Sequence, residues 1–450
     1  MFKIILIFFF SIHILLGQYS SYVNPFIGTG GHGHTFPGPT TPNGMVQLSP
    51  DTRLEGWDGC SGYHYSDSLI YGFSHTHLSG TGIPDYCDIL LMPGSEIIHD
   101  NITADEIKTI SVFNKKTEKS KVGLYEVFLE DPKIKVRLTA TPRTGIHEYL
   151  FPKVNNNWIL IDLKHRDKII HAGFSKIEKN EITGYRISTG WAKEQHIYFS
   201  LKCSSDIDHV IYSKDSLKAI CIFKNIKNKK LVIQCGISSV DEMGARNNLA
   251  VEWLNFNFNL AYKNCNNLWN DALSRIQVND NRVEKKEQII IFYTALYHTL
   301  IHPSLFQDCD NRYRGMDQRI RMGSAEFPRY TVFSLWDTYR AAHPLYQLVY
   351  PEMNLKFAKT FLSQFSENGR LPVWELAGNE TFCMIGNHSI PVLVNAYLNQ
   401  KNPGLLNKKE ILKAIESTFE KNYSNINSFQ KGYISMKDAS ESVSKTIENS

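Results

Sequence analysis

The chain contains no Cys-x-x-Cys pair, no clustered Lys/Arg stripe and no internal repeat, and after residue 17 no apolar run long enough to cross a bilayer. Each absence narrows the function. Without paired cysteines at ligand spacing, the eight cysteines at 60, 87, 203, 221, 235, 265, 309 and 383 fit neither a zinc ribbon nor a disulfide-dense scaffold, and are expected to be mostly buried small hydrophobes. The 49 basic and 45 acidic residues are spread along the chain, so the electrostatic footprint of nucleic-acid binding is missing and no nucleic-acid partner is expected. The densest basic run, KNIKNKK at 224–230, lies between two apolar β-type runs and reads as a solvated hairpin tip.

What is present belongs to a folded, exported protein. Residues 1–17 join Lys3 to an apolar stretch of about a dozen residues, too short for a span of about 20 and shaped like a signal peptide. No cysteine follows at position 18, so no lipid anchor is indicated there, and a secreted or periplasmic protein without a transmembrane span is expected. With 450 residues the chain exceeds one ordinary core. Its 12% aromatic content suits an aromatic-lined small-molecule cleft.

From 18 to 255 the pattern is short runs of β-branched and aromatic residues broken by Gly, Pro, Asn and Asp, which predicts a β-sandwich domain. Beyond Val251 the period changes. Residues 256–285, with Trp269, Leu273 and Ile276, predict a helical linker, and 286–450 predict helices joined by long loops. There Ile289, Phe292, Leu296 and Leu300 form one helical stripe, as do Leu355, Ala358, Leu362 and Phe365, and then Ile411, Leu412, Ile415 and Phe419. Periodicity alone leaves a bundle and an α/α toroid equally open.

Three places could carry chemistry. His75 and His77, two apart, would share a face on a strand, and with His32, His34, His64, Asp85 and Asp88 could form a zinc site for a metallohydrolase; the plainer reading is histidines bonded within Gly-rich loops. In SLWDTYRAAHPL, Asp337 and Arg340 stand three apart, as a helix-surface ion pair or, with Trp336, as a platform for a sugar ring. The Gly/Pro-punctuated segment GRLPVWELAGNETFCMIGNH at 369–388 offers Glu375 and Glu380, and glycoside hydrolysis needs two carboxyl groups. Five residues apart in a loop, these two need not flank one bond.

Eight ordered segments, VNPFIGTGGHGHTFPG, GMVQLSPDTR, GWDGCSGYHYSD, GFSHTHLSGTG, YRGMD, SLWDTYRAAHPL, LPVWELAGNETFCMIGNH and ESVSKT, together resemble glycoside hydrolase family 92, the exo-acting calcium-dependent α-mannosidases. The resemblance runs from about Tyr22 to Thr446. It implies a multidomain fold: an N-terminal β-sandwich, a helical linker and part of an (α/α)6 toroid, with the site at their interface. It also implies inverting hydrolysis of terminal α-linked mannose, as in N-glycan degradation, with a glutamic acid as general acid, an aspartate as general base and a calcium ion on the sugar. By the same resemblance Trp57 and Asp58 reach the sugar from the sandwich side, Trp336, Asp337 and Arg340 from the toroid side, and Trp374 and Glu375 stand close by.

One departure is plain. The Tyr-Thr-Glu-Gly-Asn-type and Gly-Asn-Asp-Asp-type motifs that carry the family's acid and base follow ESVSKT and are not in this sequence, and neither is the His-Glu pair of α-1,2-specific members. The resemblance therefore places the catalytic pair beyond residue 450 in a C-terminally truncated chain, and leaves the linkage and the metal ligands unassigned. An inactive remnant or a mannose-binding protein is the alternative.

Overall fold

The computed structural model describes residues 18–98, 102–224, 226–278, 282, 285–423 and 444. The signal segment and, apart from Ser444, the motif at 441–446 lie outside the described residues.

Two antiparallel sheets face one another across the first half. Their strands are β1 (Ser49–Asp51), β2 (Gly72–Ser74), β3 (Leu90–Gly94), β4 (Lys119–Lys121), β5 (Leu124–Leu129), β6 (Ile134–Ala140), β7 (Thr144–Leu150), β8 (Asn157–Asp162), β9 (Lys168–Glu178), β10 (Glu181–Thr189), β11 (Gln195–Cys203), β12 (Ile207–Tyr212), β13 (Lys218–Phe223) and β14 (Lys230–Ser238). One sheet has the order β1-β2-β3-β8-β13-β12, the other β9-β10-β11-β14-β7-β6-β5-β4. Alternation sets the inward faces: Tyr125, Val127 and Leu129 on β5 meet Leu138, Val136 and Ile134 on β6, all buried.

The basic run at 224–230 corrects the hairpin reading. It joins β13 of one sheet to β14 of the other, so it is a connection between sheets, with Lys227, Lys229 and Lys230 exposed. Six of the eight cysteines are buried and all are free thiols, as expected of packing residues.

Helices begin earlier than the sequence period suggested. α1 (Glu242–Val251) starts at Asp241, whose carboxylate accepts from the Gly244 N–H at 2.7 Å, and it packs on β14 and β11. α2 (Phe258–Leu273) is capped by Asn257 and docks on β6, where the Trp269 indole donates to the Thr40 carbonyl at 2.6 Å. Then come α3 (Lys286–Thr299), the single turn α4 (Leu335–Thr338), α5 (Ala342–Val349), α6 (Pro351–Asn368), α7 (Ser389–Leu398) and α8 (Lys408–Tyr423). Pro351 opens α6 where a missing N–H costs nothing, and Gly369 ends it at φ +77°. α5 through α8 pack on their chain neighbours. No helix among the described residues is long and apolar enough to cross a membrane.

Two stripe residues are corrected. Phe292 and Leu412 are exposed, and the buried faces run instead through Ile289, Tyr293, Leu296 and Tyr297 on α3 and Ile411, Ala414 and Thr418 on α8. A single apolar core continues from the sandwich through Cys265, Trp269 and Tyr297 to Phe357 and Phe361 of α6.

Candidate active site

The segment 369–388 folds as a two-strand ribbon, β16 (Trp374–Leu376) and β17 (Asn379–Glu380), paired to β15 (Phe333–Ser334) immediately before α4. It docks on the sandwich through reciprocal bonds: the Asn379 amide donates to the Glu194 carbonyl at 3.0 Å and accepts from the Glu194 N–H at 3.3 Å. Behind the ribbon, Leu78, Ile83, Tyr86 and Ala192 of the sandwich close over Trp374 and Leu376 in a small apolar cluster at the junction.

Both loop carboxylates are occupied in holding this ribbon. Glu380 accepts three backbone N–H bonds, from Val373 at 2.7 Å, Trp374 at 2.9 Å and Phe382 at 3.0 Å. Glu375 is 0% exposed and accepts through Oε1 from the Thr331 hydroxyl at 2.9 Å and the Gly378 N–H at 2.7 Å, while Oε2 has no partner. Burial pushes the Glu375 carboxyl up to about 7, with the nearby Arg329 charge pulling the other way. Glu375, expected to stand close to the sugar, is buried in this structure. Pairing with Phe333 turns its side chain under the ribbon, away from solvent.

The other expected residues are Trp57 and Asp58 on the sandwich side and Trp336, Asp337, Arg340 and Trp374 on the helical side. Trp57 is 58% exposed, with the His34 ring edge-on at 4.3 Å, and Asp58 accepts from His32 Nδ1 at 2.6 Å. The His32 bond is the leading cause holding the Asp58 carboxyl below its usual range. A Cβ at Gly82 would stand 2.5 Å from the Trp57 indole nitrogen, so the loop carrying Leu78 and Ile83 links Trp57 to the apolar cluster. On the helical side Asp337 is exposed and accepts from Ser334 Oγ at 2.5 Å. The Arg340 guanidinium lies over the rings of Trp336 at 4.9 Å and Tyr339 at 4.8 Å. Burial, and then the Asp337 charge, raise the Cys383 thiol. Trp374 is buried, and its ring supports Trp191 edge-on at 6.3 Å.

Trp191 and Phe382, 41% and 49% exposed, are aromatic residues that sequence reasoning missed. A signal existed for the first: Gly190-Trp191 repeats the Gly56-Trp57 pair.

The plainer reading of the histidines holds, and His75, His77, His32, His34, His64, Asp85 and Asp88 do not converge as one metal cluster among the described residues. His75 donates from Nδ1 to the Ile89 carbonyl at 2.7 Å, and His64 bonds Ser66 Oγ and the Gly31 carbonyl. Asp85 accepts from the backbone of Trp191 and Ala192, and Asp88 from Thr76, Arg186 and Gln195. Among the described residues, the group able to hold an ion is Asp51, His77 and Cys87. One carboxylate, one imidazole and one thiol do not make the oxygen cage calcium needs, so this group does not fit that ion.

Comparison with known proteins settles the family. Residues 22–238 match the glycosyl hydrolase family 92 N-terminal domain and residues 244–450 its catalytic domain. The chain belongs to glycosyl hydrolase family 92. Among solved structures, this family 92 chain is similar to a GH92 alpha-mannosidase from Bacteroides thetaiotaomicron in complex with mannoimidazole, at 33% identity and a TM-score of 0.85 over 96% of this chain and 60% of that one. An inverting GH92 mannosidase from the strain VPI-5482 of that species gives 25% identity and a TM-score of 0.83, again over 96% and 60%. An uncharacterized secreted glycosidase from Arthroderma benhamiae is 30% identical over 149 residues, 31% of this chain and 18% of that protein. The chain thus spans about three fifths of the solved relatives. The β-rich half followed by a helical half matches their fold, with the (α/α)6 toroid partly covered.

Proposed function

We propose that the protein is an exported, exo-acting α-mannosidase that removes terminal α-linked mannose from glycans with inversion and with calcium as cofactor. Support comes from its solved relatives, named as mannosidases, and from the exposure of Trp57 on the sandwich and of Asp337 and Arg340 at the start of the helical half. An exposed indole, a carboxylate acceptor and a guanidinium donor are the side-chain types that can hold a pyranose ring. Because Glu375 and Glu380 hold the ribbon, neither serves as acid or base in this reading.

The test is proton NMR of a methyl α-mannoside digest. β-Mannose should appear first, a calcium chelator should stop the reaction and calcium should restore it. α-Mannose as first product sinks inversion, and rescue by zinc but not by calcium sinks the calcium assignment. The alternative is a mannose-binding protein without turnover. Tight binding of mannoimidazole with no hydrolysis would select it.

Trp57→Ala is expected to weaken mannoside binding by about 2 kcal/mol, roughly 30-fold, the worth of the apolar area one indole covers. Calorimetric titration with mannoimidazole checks this. An unchanged Kd would remove Trp57 from the site.

A further inference from the structure

Beneath the loop that carries Trp57, three side chains with metal-binding chemistry meet in a space sealed from water. Asp51 ends β1, His77 follows β2 and Cys87 precedes β3, so distant segments supply them. All three are fully buried, with one ligand-type atom of each within 4.8 Å of the other two. Cys87 is held at φ +61°, an unfavourable value for a residue with a Cβ, by its N–H bond to the Thr76 carbonyl at 2.8 Å. Gly62 lets the group close: a Cβ there would lie 2.2 Å from Asp51 Oδ1 and 2.9 Å from Cys87 Sγ.

The bonding of His77 fixes which nitrogen is available. Nδ1 lies 2.7 Å from the Gln47 carbonyl, which can only accept, so Nδ1 carries a proton. Nε2 then points its lone pair at Asp51 Oδ1, 2.8 Å away, unless a second proton makes a buried imidazolium. An imidazole that donates one N–H to a backbone carbonyl and offers the other nitrogen is the arrangement of metal-ligating histidines. A second observation points the same way. Asp51 Oδ2 also lies 2.9 Å from His165 Nε2, so a second buried imidazole nitrogen stands against the same carboxylate. Four side chains with metal-ligand chemistry, Asp51, His77, His165 and Cys87, are thus gathered at one buried point.

We propose that Asp51, His77 and Cys87 form a structural site for a thiophilic divalent cation of the zinc class. A carboxylate and a thiolate carry two negative charges, which such an ion neutralises, and the oxygen, nitrogen and sulfur donors are those zinc takes in tetrahedral sites. Around the ion, His77 Nε2 and Asp51 Oδ1 move apart to about 3.3 Å, as Zn–N and Zn–O lengths near 2.0–2.1 Å require. Ser74 Oγ, 3.1 Å from His77 Nε2, is a neighbouring oxygen for the fourth position. The ion ties β1 and β2 to the turn before β3 and braces the Gly62 loop. It is separate from the calcium of the mannosidase reading and does not rest on that reading.

The experiment is to refold the full chain with zinc or cobalt, strip loosely held ions by gel filtration in chelator, and measure metal content and absorption. About one ion per chain is expected. The cobalt form should show the near-ultraviolet sulfur-to-cobalt charge-transfer band. Cys87→Ser should abolish that band and cut retained zinc at least about tenfold, whereas Cys60→Ser, at another buried thiol, should leave both unchanged. The wild-type readings decide the matter even if Cys87→Ser fails to fold. Folded wild type holding less than about a tenth of an equivalent, or a cobalt form without the sulfur band, overturns the site and leaves a buried imidazolium–carboxylate pair beside a thiol.

Discussion

Arg329→Met is expected to destabilise the protein by about 3–5 kcal/mol, the cost of leaving one partner of a buried ion pair alone, and to lower the thermal midpoint by roughly 5 °C. Arg329 and Glu367 are 1% and 0% exposed at their side chains and pair in parallel, Nη1 to Oε1 and Nη2 to Oε2, each at 3.0 Å. The same carboxylate accepts from the Tyr313 hydroxyl, Ser363 Oγ and the Met316 N–H. Methionine keeps most of the arginine stem's volume but strands an anion with neutral donors. Adding Glu367→Gln removes the orphaned charge and retains an acceptor, so the double variant should recover about half of the loss. Denaturant midpoints check both. A single variant within about 1 kcal/mol of wild type would mean that water reaches the carboxylate.

Glu375→Gln should flatten the pH dependence of stability. The folded carboxyl titrates at about 7 against an ordinary 4.5, so between those values the folded state binds more protons than the unfolded one. Stability contributed by the protonated form is full below pH 4.5, falls as pH rises and is gone above 7, a loss of about 3 kcal/mol. Glutamine cannot ionise, and its oxygen can still accept from Thr331 and Gly378. The variant should therefore gain on wild type from pH 5 to pH 8, whatever constant offset its amide nitrogen introduces. Removing Arg329 takes away a charge that pulls the carboxyl down, so Arg329→Met should steepen the fall. Parallel pH profiles for wild type and Glu375→Gln would show that Glu375 is ionised throughout.

The sandwich was legible because alternation along strands such as 124–129 and 134–140 reports a buried face directly. Its topology was not, since strand, basic turn and strand look alike whether the turn at 224–230 closes a hairpin or crosses between sheets. On the helices, counting apolar types put Phe292 and Leu412 inside, while the neighbours of α3 select Tyr293 and Tyr297. At the site, the motif strings singled out Trp57, Asp58, Asp337 and Arg340, of which Trp57, Asp337 and Arg340 are exposed. They could not show that strand pairing turns Glu375 under the ribbon, because side-chain direction there depends on register with Phe333. The grouping of Asp51, His77 and Cys87 had no signature either, with its members brought together by β1, β2 and β3.

The continuity of the apolar core across α2 and α3 bears on how such a protein can be inherited. Trp269 and Tyr297, in ring contact at 4.3 Å, belong to the core shared by both halves. A lineage that exchanged the sandwich for another module would expose that seam to water, and one that lost the helical half would leave Thr40 without its indole donor. Separating the two halves would therefore expose the apolar surface at Trp269 and Tyr297.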